Sequence, residues 1–210
     1  MTTAERYPIP AARHRAEQTI ERSRFICTIE RVKDPEDAQA FIREMNAEYA
    51  DASHNCWAFL AGPPGSTNRI GMSDDGEPHG TAGRPMLTVL THSGVGEIAA
   101  VVTRYFGGTK LGTGGLVKAY GGAVQHALLT LPKKDRVDRV GVELTISYAH
   151  LSPIQQLLPA FEAEITGQRF ESDVVLSLRL PTSSLVSLRA AVADASRGEA
   201  HLSDAVHVDA

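Results

Sequence analysis

Seven of the chain's 18 glycines fall between Gly107 and Gly122, at positions 107, 108, 112, 114, 115, 121 and 122. They follow residues 97–106, an apolar run ending Thr103-Arg104-Tyr105-Phe106. They lead into residues 116–131, where Ala119, Ala123, Ala127 and Leu128 recur at helical spacing. The pattern predicts a strand, a glycine turn and a helix in direct succession, which places sheet and helix in adjacent layers. Glycine accepts positive φ and lets backbone come close to a neighbour. Two consequences are open at this level. The turn can present N–H groups and the positive end of a helix dipole to an anion, or the glycines can serve tight strand–helix packing alone.

On the anion reading, Gly107, Gly108, Gly112, Gly114 and Gly115 shape the turn, and Arg104, Lys110 and Lys118 supply charge to a phosphate or carboxylate. The segment is no Walker A loop, because no Gly-Lys-Ser/Thr stands at the required spacing, and it does not match the GxGxxG dinucleotide pattern. Charge supports the same stretch. Residues 101–140 carry seven basic and two acidic side chains, a net +5 between flanks of −4 and −5. A partner meets that local field, not the overall −4.

A second constellation is residues 73–85, SDDGEPHGTAGRP. Asp74, Asp75 and Glu77 place three carboxylates within four residues, with His79, Thr81 and Arg84 beyond. The carboxylates suit a hard cation in type but not in EF-hand spacing; a solvated acidic turn, or internal pairing with the basic segment, is the reading that charge runs favour. A third is His54-Asn55-Cys56 with His79. It lacks the CxxC and HxxxH spacings of zinc sites, and a cysteine opening an apolar strand is a buried residue before it is a nucleophile. No metal, cofactor or catalytic residue is assigned. Phe25, Tyr105 and Phe106 are aromatic enough to stack on bases, although strand aromatics commonly serve the core.

The rest of the chain reads as two domains, 1–135 and 136–210, divided at the polar, Pro-initiated stretch 132–136. In the first, residues 17–32 suggest two short strands or one bent strand. Asp34-Pro35-Glu36-Asp37 opens a helix, and Ala38, Phe41, Ile42, Met45 and Tyr49 form its apolar stripe. Residues 56–61 are a buried strand, 62–83 a long loop, and Pro85 opens a short helix through Leu90 with Gly94 as its stop. The second domain runs strand (142–148), helix from Ser152-Pro153, hairpin (164–170 and 174–180), helix from Thr182 or Ser183, and strand (201–208). That βαββαβ order is ferredoxin-like. No apolar run reaches membrane-spanning length, the N-terminus has no secretory h-region, and two cysteines make no disulfide framework. A cytoplasmic protein is expected.

The blocks SRFICTIERV, DASHNCWAFLAG, SDDGEPHGTAGRPML and VVTRYFGGTKLGTGGLVKAYGGAV, in this order between about Ser23 and Leu128, resemble the IMPACT/YigZ family in its bacterial, two-domain form. The resemblance implies an α+β protein. Its first domain is similar to the second domain of a small-subunit ribosomal protein, an α/β sandwich also seen in elongation factor G domain IV, and its second is ferredoxin-like. Eukaryotic relatives regulate translation through a kinase activator. What carries over is an expectation of contact with RNA, the ribosome or a translation-associated protein, and no catalytic residue. A non-enzymatic binding protein is therefore the leading reading. An enzyme acting on a small phosphorylated or peptide-derived anion, or a protein–protein adaptor, is the alternative. The enzyme reading requires residues 73–85 and the glycine turn to line one concave pocket.

Overall fold

The computed structural model describes residues 6–208. Contacts divide the chain into two compact units on either side of Asp135/Arg136.

In the first unit β1 is Arg6–Pro10, β2 His14–Ile20, β3 Ser23–Arg31, α1 Pro35–Glu48, β4 His54–Leu60, β5 Ile70–Ser73, α2 Gly83–His92, β6 Ile98–Tyr105 and α3 Gly112–Thr130. An antiparallel sheet runs in the order β2-β3-β6-β4-β5. Strand parity decides which helix covers which face. Phe25, Cys27 and Ile29, Cys56, Ala58 and Leu60, and Ile98, Ala100 and Val102 point one way, into a core shared with α2 and α3. Phe59, Ala99 and Val101 point the other way, onto Phe41, Ile42 and Met45 of α1. Asp34 caps α1, its carboxylate accepting from the Asp37 N–H at 2.8 Å, and Pro35 stands in the first turn.

Three local expectations change. The long loop contains β5, an edge strand that pairs with β4 from Trp57↔Ser73 to Leu60↔Ile70. Helix α3 begins at Gly112, four residues before the apolar periodicity starts, because glycine-rich first-turn residues carry no periodic signal. The polar stretch 132–136 lies mostly in a strand, β7 (Lys133–Val137), which pairs with β1.

The second unit contains β8 (Arg139–Ile146), α4 (Leu151–Leu157), β9 (Glu164–Phe170), β10 (Val174–Pro181), α5 (Leu185–Ser196), β11 (His201–Leu202) and β12 (Val206–Val208). The sheet order is β11-β8-β10-β9, with β12 also on β8, and every pairing is antiparallel. This is the ferredoxin-like arrangement, its last strand split in two. Tyr148 leaves the predicted strand for a 3₁₀ turn that precedes α4. Leu144, Leu176, Leu178 and Leu180 pack beneath Ile154 and Leu188. The class of the whole chain is α+β.

Candidate functional site

The predicted residues fall into two neighbouring places on the first unit, plus a buried network behind one of them. Arg104, read from sequence as a free contact for an anion, is only 5% exposed. Its Nη1 donates to Glu77 Oε1 at 2.5 Å, and its Nη2 to Ser23 Oγ at 3.3 Å. The guanidinium lies 5.5 Å from the ring centres of both Phe25 and Phe106. Tyr120, fully buried, donates its hydroxyl to the same Glu77 oxygen at 2.8 Å. Burial, then the neighbouring Cys56, raises the Tyr120 hydroxyl far above its ordinary range, so it stays a donor. Arg104 on β6, Glu77 on the loop and Tyr120 on α3 thus tie three elements together. The sequence alternative of internal pairing between acidic loop and basic segment describes Glu77 well. Ser23 and Tyr120 were missed as partners; the signal for Tyr120 was a lone polar-tipped aromatic among the alanines and glycines of α3.

The other loop carboxylates also turn inward. Asp74 Oδ1 accepts from the N–H groups of Ala82 (3.0 Å) and Gly83 (2.9 Å), and Oδ2 from Gly80 (2.8 Å), closing the start of α2. Partial burial raises the Asp74 carboxyl, but the three N–H donors outweigh it and hold it below the usual carboxylate range. Asp75 Oδ2 accepts from the Asn55 N–H at 2.6 Å. His54 Nδ1 must donate to the Asp75 carbonyl, 2.7 Å away. Thr81, buried, donates to the Pro78 carbonyl at 2.6 Å, while the His79 side chain stands in solvent. Cys56 donates to the Asp74 carbonyl, and burial pushes its thiol up to about 12, which removes it as a nucleophile at neutral pH. Among the described residues no group of three or more His, Cys, Asp and Glu is placed to hold a metal ion.

Asp74 gives a measurable pH dependence. Its folded pKa lies below the unfolded value of about 3.9, so its contribution is complete above about pH 4. It is lost as pH falls through the lower folded value. Asp74→Ala should cost about 1–2 kcal/mol near neutrality, in the range of a lost helix cap. In urea denaturation the gap between wild type and variant should close below about pH 4; a gap unchanged at pH 3 would refute a carboxylate-specific role.

The glycines divide by job. A Cβ on Gly107 would lie 1.9 Å from the Arg22 carbonyl oxygen, so this glycine exists for packing against the β2–β3 hairpin. Gly108 and Gly112 hold φ of +86° and +70°. Gly114, in the first turn of α3, faces open space. Packing and turn geometry therefore account for Gly107, Gly108 and Gly112 without any ligand.

Two concave features remain. A cavity of about 380 Å³ is lined by Glu77, Arg104, Phe106, Lys110, Gly112 and Thr113 among others, so the two sequence segments do share one pocket. Beside it, a groove of about 620 Å³ between α2 and α3 is lined by Arg84, Thr88, Lys118, Gly121, Gly122 and Gln125. Neither α2 nor α3 contains a carboxylate. Between residues 83 and 130 the sole acidic side chain is Glu97, buried and held by Tyr7 and Arg31. Among the described residues Arg84, Lys110 and Lys118 have no ion-pair partner. Arg139, by contrast, faces Glu162 and Glu164, and Arg136 bonds Asp138.

Fold and site together define a two-domain α+β protein with a carboxylate-free helical face on its first unit. Residues 21–128 match the Impact N-terminal domain, and residues 144–199 match a domain of unknown function, DUF1949. The chain belongs to the IMPACT family. It is 43% identical over 198 residues to the IMPACT family member YigZ of Escherichia coli K12, covering 94% of this chain and 97% of that one. To an IMPACT family member of Haemophilus influenzae Rd it is 41% identical over 192 residues, covering 91% and 93%. A crystal structure described as that of a hypothetical protein superposes with a TM-score of 0.65 at 42% identity, covering 98% of both chains. No helix of the described residues is long and apolar enough to cross a membrane.

Proposed function

We propose that this chain is a non-enzymatic, cytoplasmic binding protein of the translation apparatus that contacts RNA phosphates along the α2/α3 face of its first unit. The carrying observation is that two adjacent helices bear Arg84 and Lys118 beside an open groove, with Lys110 near the start of α3, and no carboxylate on either helix. Charge of one sign, exposed and unneutralised, is what a polyanion selects. Gly121 keeps the groove's floor low, since a Cβ there would sit 3.8 Å from Pro85 and Val89 of α2. Arg104, sequestered with Glu77, serves it only by holding β6, the loop and α3 in register.

Binding through phosphates must weaken as salt rises. For a single-stranded RNA the log–log slope falls by about 0.7 for each phosphate contact removed. The variant Arg84→Ala/Lys118→Ala is expected to bind more weakly at every RNA sequence and to flatten the slope by about 1.4, with thermal stability unchanged. Fluorescence anisotropy across a salt series measures both quantities. Affinity in the wild type that is absent or insensitive to salt defeats the proposal.

The enzyme alternative has its shared pocket. The sequence candidates for nucleophile and base do not serve it: neither Cys56, buried and protonated, nor His54, bonded to backbone, lines that pocket. The geometry favours binding.

A further inference from the structure

The α2/α3 groove continues past Gln125 into a second cavity, of about 560 Å³, lined by Val89, His92, Gln125, Leu128, Leu129 and Lys133 among others. Val89 and Gln125 line both spaces, so the two adjoin along the same pair of helices. The charge is of one sign throughout. No carboxylate lines either space, and Lys133, like Arg84 and Lys118, has no ion-pair partner among the described residues. The walls, however, are not what bare phosphates select. Val89 and Leu128 are half-buried and Leu129 is 83% exposed, an apolar patch standing open to solvent between cations. Two polar groups line the same cavity. Gln125 is exposed, and its amide makes no hydrogen bond among the described residues. His92 Nδ1 donates to the Thr88 carbonyl at 2.8 Å, which leaves Nε2 of the neutral ring as an acceptor.

We infer that this cavity receives an unpaired base of a single-stranded RNA whose phosphates lie on Arg84, Lys118 and Lys133. The inference rests on the RNA reading above and narrows it to single strands. A pocket of this size, mostly apolar with a few placed polar groups, fits a flat group with a polar edge, such as a nucleobase. A single strand offers phosphates and base faces together, whereas a duplex keeps its base faces stacked inside. Gln125 presents a donor and an acceptor side by side, the pattern that pairs with a base edge. An acidic amphipathic helix would also match the charge. Its apolar face would cover the Gln125 amide without a partner, a cost that a base avoids.

Fluorescence anisotropy of the full chain tests it with labelled probes: a short single-stranded RNA, the same strand annealed to its complement, and inorganic polyphosphate. The single strand should bind at least about tenfold more tightly than the duplex at equal salt, although the duplex has the higher charge density. Gln125→Ala/Leu129→Ala replaces two exposed side chains with a good helix former, so the thermal midpoint should be kept. It should weaken the single strand about tenfold, leave polyphosphate binding unchanged and keep the salt slope, since no charge is removed. Arg84→Ala/Lys118→Ala should instead weaken every probe and flatten the slope, so the base site and the phosphate contacts fail separately. A duplex bound as tightly as the strand, or a strand affinity unchanged in the folded Gln125→Ala/Leu129→Ala variant, overturns the inference and leaves the phosphate contacts standing. Equal losses for strand and polyphosphate in that variant overturn it too. RNA binding absent at every salt concentration removes both readings. An acidic amphipathic peptide that binds where the strand does not, and loses affinity in Leu129→Ala, overturns it in favour of a protein partner.

Discussion

Arg104→Ala should destabilise the first unit by about 3–5 kcal/mol, the cost of breaking a buried ion pair from one side. The substitution removes both hydrogen bonds of the guanidinium and its place beside Phe25 and Phe106. Glu77, 8% exposed, is left with Tyr120 as its hydroxyl donor and with His54 Nε2, 3.9 Å away, as a countercharge only when that ring is protonated. Arg104→Lys should recover little, because a point charge cannot bond Ser23 and Glu77 together while stacking on two rings. Arg104→Met/Glu77→Gln removes both charges and should be distinctly more stable than Arg104→Ala, since its loss is not the sum of the two single losses. Urea denaturation of the three variants measures this. A loss under about 1 kcal/mol for Arg104→Ala would show that water reaches the pair.

Gly107→Ala should cost about 3 kcal/mol or more, the upper end of overpacking, because the new methyl meets backbone and not a yielding side chain. Its nearest neighbours would be the Arg22 carbonyl oxygen at 1.9 Å, the Arg22 carbonyl carbon at 2.0 Å and the Ser23 nitrogen at 2.5 Å. The hairpin turn cannot move freely, since the Gly107 N–H and Arg104 both donate to Ser23 Oγ and the turn residues Glu21 and Arg22 already hold positive φ. Gly114→Ala is the control. It sits in the first turn of α3 with nothing within 4 Å, and alanine there should be neutral or stabilising by about 0.5–1 kcal/mol. Thermal melts separate the two glycines; equal effects would mean that neither depends on the hairpin contact.

The two glycines show how far the sequence could be read. Their clustering was visible, and so was the strand before them, but not that one glycine fits under a hairpin turn more than eighty residues away. Gly112–Gly115 were read as turn because glycine has poor helical propensity, yet tertiary packing through Leu116, Ala119 and Tyr120 carries the helix back through them. The same limit applied to β5. Ile70–Ser73 is short and half exposed, with Gly71 inside it, and it becomes a strand by pairing with β4. Asp34 was legible as a cap because its partner is three residues away. Asp74 was not, because its donors at 80, 82 and 83 come together only when the loop closes.

The charge pattern moved in the same way. The sequence located a basic segment at residues 101–140 and named Arg104 as its leading residue. Folding withdraws Arg104 into the ion pair with Glu77, offsets Arg136 and Arg139 with nearby carboxylates, and brings Arg84 of α2 alongside Lys118 of α3.

By itself, then, the sequence determined the α+β class, the βαββαβ order of the second unit, the strand–glycine–helix succession of the first and the family to which the chain belongs. Each of these rests on periodicity, on caps within one turn or on long runs of matching residues, and so on neighbours along the chain. Which cations face outward, which glycines are bound by sterics and which carboxylates are satisfied were decided only by the tertiary structure. The partners concerned are Glu77 with Arg104, Arg22 with Gly107, and Arg84 with Lys118. They stand 27, 85 and 34 residues apart, and no local rule couples them before the sheet and its helices have closed.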